Sequence, residues 1–147
     1  MEEMRAFFTR RVEGYDEHML QNVAGCAEGY ELLAQNLSEN AEDVLDLGCG
    51  TGLELDAMLA ERPDLRVTGI DLTQAMLDEL KKKHPEANLR LICGDYFQTD
   101  FGSECFDCAV SFESLHHFLP EKKRRLFKRI YDCLTPGGMF VNGDYFA

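Results

Sequence analysis

The nine residues VLDLGCGTG, Val44 to Gly52, carry the densest chemistry in the chain. Gly48, Gly50 and Gly52 alternate after a short apolar run that itself contains Asp46. Glycine has no Cβ, so such a stretch turns sharply and lets the backbone approach a ligand. Two further acids recur at comparable places: Asp71 closes RVTGID, and Asp95 follows NLRLIC. The spacing G-x-G-x-G departs from the dinucleotide fingerprint G-x-G-x-x-G, whose third glycine would fall at Leu53. A pyrophosphate would also meet Asp46, and two unit charges about 4 Å apart interact by ~4 kcal/mol at an effective dielectric near 20. A ligand carrying positive charge and no phosphate suits these acids better, which ranks a nucleotide-dependent oxidoreductase low.

The elements that must position these residues alternate. DVLDLG reads as a buried strand, and GLELDAMLAERP as a helix ended by Pro63. RVTGID is a second strand. TQAMLDELKKKHP is a helix with Thr73 as N-cap, one face formed by Met76, Leu77 and Leu80, and Pro85 as its stop. NLRLIC is a third strand, GDYFQTDFGSE a loop and FDCAVSF a fourth strand. EKKRRLFKRIYDCL reads as a helix with Leu126, Phe127, Ile130, Tyr131 and Leu134 inward, its KKRR run being a solvated face. TPGG is a turn and MFVNGDYF a fifth strand. Strand–helix–strand alternation implies a parallel sheet with right-handed crossovers and helices on both faces: a three-layer αβα, doubly wound α/β fold. Residues 1–40 read as an N-terminal helical segment broken near Gly14 and Gly25, and 41–147 as the α/β core of one domain.

Composition narrows the function classes. The 147 residues are 45% hydrophobic and 29% charged, as in ordinary globular domains. A net charge of −12 disfavours nucleic acids and anionic membrane surfaces as partners. No apolar run approaches the ~18–20 residues of a membrane span, and the N-terminus is too charged for a secretory leader. Six cysteines, at 26, 49, 93, 105, 108 and 133, then read as reduced thiols of a cytoplasmic protein. Cys105 and Cys108 form a lone C-x-x-C without a second pair, so no metal site is expected.

Five blocks in order, VLDLGCGTG at 44–52, GIDLT at 69–73, GDYF at 94–97, FDCAVSFESLHHF at 106–118 and LTPGGMFVNGDYF at 134–146, resemble the class I, Rossmann-like methyltransferases that use S-adenosyl-L-methionine (SAM). The resemblance implies SAM as cofactor and S-adenosyl-L-homocysteine (SAH) as product. It implies that Asp46 and the backbone of Gly48, Cys49, Gly50 and Gly52 lie under the methionine part. It makes Asp71 the acceptor of both ribose hydroxyls, Leu72 a packing surface for adenine, and Asp95, with Tyr96 beside it, the acceptor from the adenine amino group. The carbonyl of Phe112 would meet the ammonium, and Tyr15 would close the pocket from the N-terminal segment. His116 and His117 follow the fourth strand, where substrate lies in the family; either could be a general base, or simply a packed helix-start histidine. The family sheet has seven strands in the order 3-2-1-4-5-7-6, so order 3-2-1-4-5 is expected here, with the last two strands absent. The fifth strand would then be an exposed edge, through which a homodimer could form. The function implied is methyl transfer to a small-molecule acceptor; the alternative is a noncatalytic SAM-binding module.

Overall fold

The structure, a computed structural model, describes residues 26–112, 114, 115 and 118–144. Tyr15, His116, His117 and most of the N-terminal segment lie outside the described residues. Helix α1 (Cys26–Gln35) precedes β1 (Asp43–Leu47), α2 (Leu53–Glu61), β2 (Arg66–Asp71), α3 (Gln74–Lys83), β3 (Asn88–Cys93), β4 (Phe106–Phe112), α4 (Pro120–Cys133) and β5 (Leu134–Gly143). All five strands are parallel, as the alternation predicts, in the order β3-β2-β1-β4-β5 that the family resemblance implies.

The pleat of β1 explains the layers, because successive side chains point to opposite faces. Val44 joins a core with Leu33 of α1, Leu37 just beyond it, Leu55 and Met58 of α2, and Leu77 and Leu80 of α3. Leu45 and Leu47 face the other way, onto Leu126, Ile130 and Cys133 of α4. A strand buried on both faces carries a continuous apolar run, and Asp46 is the one acid within it. The two ends of the connection into β1 are tied by polar groups. Asp107 accepts from the amides of Glu42 and Asp43, while Arg62 donates to the carbonyls of Ser38, Glu39 and Ala41.

Three local expectations are corrected. The inner stripe of α4 is Leu126, Ile130 and Cys133; Phe127 and Tyr131 are 41% and 78% exposed. They lie on the rim, where the Phe127 ring meets Phe140 of β5, with centroids 5.9 Å apart. TPGG is not a turn ahead of a strand. Leu134 already pairs with Phe106, pairing resumes at Met139 opposite Cys108, and residues 135–138 bulge between them, aided by Gly137 at φ 82°. Thr73 occupies the N-cap position of α3, but its side chain makes no capping bond.

The α4 correction can be tested directly. Leu126→Ala is expected to cost about 2–5 kcal/mol in urea unfolding and Tyr131→Ala under about 0.5 kcal/mol. Equal losses would place Tyr131 in the core.

Candidate functional site

The sheet changes winding direction at β1, which has β2 on one side and β4 on the other. Open parallel sheets bind ligands beyond the carboxyl ends of the strands at this point. Register brings the expected residues there: Leu47 lies level with Ile70 and Ser111, while Asp71 pairs with Cys93 one step further out. Phe112, at the end of β4, pairs with Gly143.

The glycine loop leaves β1 at this level. Gly48, Gly50 and Gly52 have φ of 71°, 54° and 80°, a left-handed backbone that L side chains pay about 1–2 kcal/mol to adopt. A Cβ on Gly48 would also fall 2.6 Å from Ser114 Oγ. The loop is held on β2: the amides of Gly48 and Cys49 donate to the Ile70 carbonyl at 2.8 and 3.2 Å. Gly50 donates to Asp71 Oδ2 at 2.8 Å, and Thr73 donates to Asp71 Oδ1 at 2.9 Å. One carboxylate thus fastens the loop to the start of α3. Each oxygen keeps acceptor capacity, since a carboxylate offers about four lone-pair directions. Burial pushes the Asp71 pKa upward, against the pull of these amides.

Asp46 lies beneath the loop on the α1–α3 side, level with Gly69 of β2 and Val110 of β4. It is fully buried, and neither carboxyl oxygen has a hydrogen-bond partner of good geometry among the described residues. Its neighbour is Glu54, from the first turn of α2 and also buried. Desolvation raises both carboxyls, Asp46 to about 7 and Glu54 well above its ordinary value. Glu54 was not found from sequence. The signal was there: residues 54 and 58 share a helix face, and Met58 is core, so an acid stands on an apolar stripe.

The remaining described candidates lie on the loop after β1 and at the ends of β2, β3 and β4. Cys49 turns its side chain inward, where Sγ fills the space a side chain on Gly69 would take. Leu72 is half-buried, and its carbonyl accepts from Cys93 Sγ at 3.5 Å. Asp95 accepts the Phe97 amide at 2.9 Å, an Asx turn that shapes the loop after β3. Tyr96 is buried in the α4-side core, and its hydroxyl lies 2.6 Å from Ser114 Oγ. Burial raises the Tyr96 phenol. Arg129 of α4 pins this loop by donating to the carbonyls of Tyr96 and Thr99 with its guanidinium 4.3 Å above the Phe101 ring. The Phe112 ring packs on Tyr30 of α1 at 4.3 Å between centroids.

A parallel sheet wound in this order, with a triple-glycine loop and an acid at the end of β2, defines a Rossmann-like fold. Residues 44–138 match the family described as "Methyltransferase domain", and the chain belongs to it. It is 34% identical over 112 residues to a carboxy-S-adenosyl-L-methionine synthase of Campylobacter fetus subsp. fetus, covering 75% of this chain and 47% of that protein. It is 32% identical over 130 residues to the erythromycin 3''-O-methyltransferase of Saccharopolyspora erythraea, covering 82% of this chain and 42% of that protein. The solved DhpI–SAM–HEP complex shares the fold at a TM-score of 0.79 and 21% identity, covering 99% of this chain and 66% of that one. The chain spans about half the length of these two curated relatives. Among the described residues no helix is long and apolar enough to cross a membrane.

The buried acid yields a stability test. An unfolded chain ionises Asp46 near its ordinary pKa of 3.8, whereas the folded protein holds that proton to about 7. The stabilisation is complete below the unfolded value and is lost as pH rises through the folded one. From pH 5 to 7, unfolding free energy is expected to fall relative to Asp46→Asn by at most about 1.4 kcal/mol per pH unit. Parallel curves for the two proteins would show that Asp46 ionises freely in the fold.

Proposed function

We propose that this domain binds SAM across the Gly48–Gly52 loop and belongs to an enzyme that transfers the SAM methyl group to a small-molecule acceptor, releasing SAH. The observation that carries this reading is a glycine loop fastened by Asp71 above a buried acid, Asp46, that has no cation beside it among the described residues. The donor set fits the cofactor: a carboxylate with spare acceptor capacity suits a vicinal diol, and buried acid suits a cationic ligand and opposes a pyrophosphate.

In this reading Asp71 holds the ribose and Asp46 offsets the charge of the amino-acid end. The backbone of Gly48, Cys49, Gly50 and Gly52 supports the methionine part, and the Phe112 carbonyl meets the ammonium. Leu72 and the Asp95–Tyr96 loop, pinned by Arg129, enclose the adenine. Bound SAM supplies an electrophilic methyl group on a sulfonium. The chain's task is therefore chiefly orientation of the acceptor, for which effective molarities of roughly 10⁵–10⁸ M are attainable. A base is required only where the acceptor must lose a proton early. Tyr15 as a lid and His116 or His117 as a base remain part of the proposal. Similarity to a carboxy-S-adenosyl-L-methionine synthase favours a second reading, in which SAM itself is the group modified. Mass spectrometry separates them: SAH marks methyl transfer, and a carboxylated sulfonium nucleoside marks the second.

Calorimetric titration with SAM and SAH tests the binding half. Asp71→Ala is expected to weaken both by about 2–4 kcal/mol, the loss of two charge-assisted bonds. An unchanged dissociation constant would remove Asp71 from the site, and tighter binding of NADH than of SAM would overturn the reading.

A further inference from the structure

The acids under the glycine loop include one that the binding reading does not use. Glu54 stands in the first turn of α2 and is buried to within 5% of full enclosure, although it bears an ionisable group. Asp46, fully enclosed on β1, has no hydrogen-bond partner of good geometry for either oxygen among the described residues, and Glu54 is its neighbour. Two buried carboxylates side by side cannot both be charged without a cation, because desolvation and mutual repulsion act together.

Among the described residues no such cation is hydrogen-bonded to Asp46; Lys83 and His84 pair with Asp56 instead. Asp71 at the end of β2 adds to the repulsion on Asp46, and Asp56 of α2, itself so paired, adds to that on Glu54; burial, with Asp46, Asp71 and Glu54 nearby, keeps the Cys49 thiol neutral. On β4 the facing titratable group is Cys108. Helices α1 and α3 present apolar side chains to this core. Among the described residues neither oxygen of Asp46 nor Oε1 of Glu54 has a hydrogen-bonded cation, and no group of three or more His, Cys, Asp or Glu side chains is arranged to hold a metal ion. The cluster therefore balances its charge with protons until a cation arrives.

We propose that Glu54 is a positioning residue of the cofactor site: it stays a neutral acid beside Asp46 and shares its proton with it, so that the cationic end of the ligand meets Asp46 as a carboxylate and uptake of the ligand drives the proton of Asp46 into solvent. The inference rests on the SAM reading above and adds a proton to its stoichiometry. No bond other than O–H is broken: the proton leaves Asp46 for buffer, and the ligand's positive charge takes its place. Glu54 keeps its own proton throughout, because charge on both acids would restore the repulsion. The burial that raises Asp46 to about 7 places this exchange within the neutral range.

The test is calorimetry of the full chain with SAH and with SAM at pH 6 and 7, in two buffers of different ionisation enthalpy, which counts released protons independently of activity. Below about pH 7 the ligand's own ammonium stays protonated. The wild-type protein is expected to bind about fivefold more tightly at pH 7 than at pH 6, and to release about 0.9 proton at pH 6 and about 0.5 at pH 7. Glu54→Gln keeps an N–H donor beside Asp46 and is expected to keep this profile. Glu54→Leu removes the donor and is expected to move the rise in affinity to higher pH, with weaker binding at pH 7 and an unchanged circular dichroism spectrum. Binding that is independent of pH and releases no proton would overturn the proposal and leave the SAM reading standing. A Glu54→Leu profile superimposable on wild type would overturn the role of Glu54. Absence of binding at either pH would overturn both readings.

Discussion

The carboxylate of Asp71 is the bond on which the site depends. The loop Gly48–Gly52 passes through three left-handed backbone positions, a conformation with little intrinsic preference to persist. Asp71 gives it one: through Gly50 and Thr73 the same side chain holds the loop and the entry to α3. The Ile70 carbonyl, taking both the Gly48 and Cys49 amides, completes the tie to β2. Loop, strand end and helix start therefore move as one body, and any ligand bound across them is read by all three.

The sheet makes this body possible. Parallel register sets Leu47, Ile70 and Ser111 at one level, so the loops after β1, β2 and β4 emerge side by side. On the far side of the sheet Arg129 of α4 fixes the loop after β3 by its carbonyls. The Tyr96–Ser114 contact joins that loop to the segment after β4. Beneath the glycine loop the arrangement is reversed in character. Asp46 and Glu54 occupy core positions where an apolar side chain would be more stable, and the domain retains them without a compensating base among the described residues. Buried polarity of this kind costs folding free energy.

Strand positions were legible in the sequence because glycines and acids punctuate short apolar runs, and their order followed from the family resemblance. RVTGID, NLRLIC and FDCAVSF match β2, β3 and β4 residue for residue. What escaped was decided by tertiary context. The helical stripe of α4 looked wide enough to include Phe127 and Tyr131, yet among the described residues β5 is the outermost strand beneath it, and these two side chains on the outer flank stay exposed. TPGG has turn chemistry and does turn, but as a bulge inside a continuous pairing. Thr73 stands at the cap position, while Asp71 two residues earlier takes its amide. Asp46 could be seen in the sequence as an acid near the loop; that it would be fully enclosed beside Glu54 required the packing of α2 against β1.

The most direct test of the central claim is amide NMR of the labelled protein titrated with SAH and, separately, with NADH. The account predicts that SAH moves the resonances of Gly48, Gly50, Asp71 and Thr73 together, with a single saturating dissociation constant, and that NADH leaves them in place. Shifts of these four amides with NADH and none with SAH would contradict it.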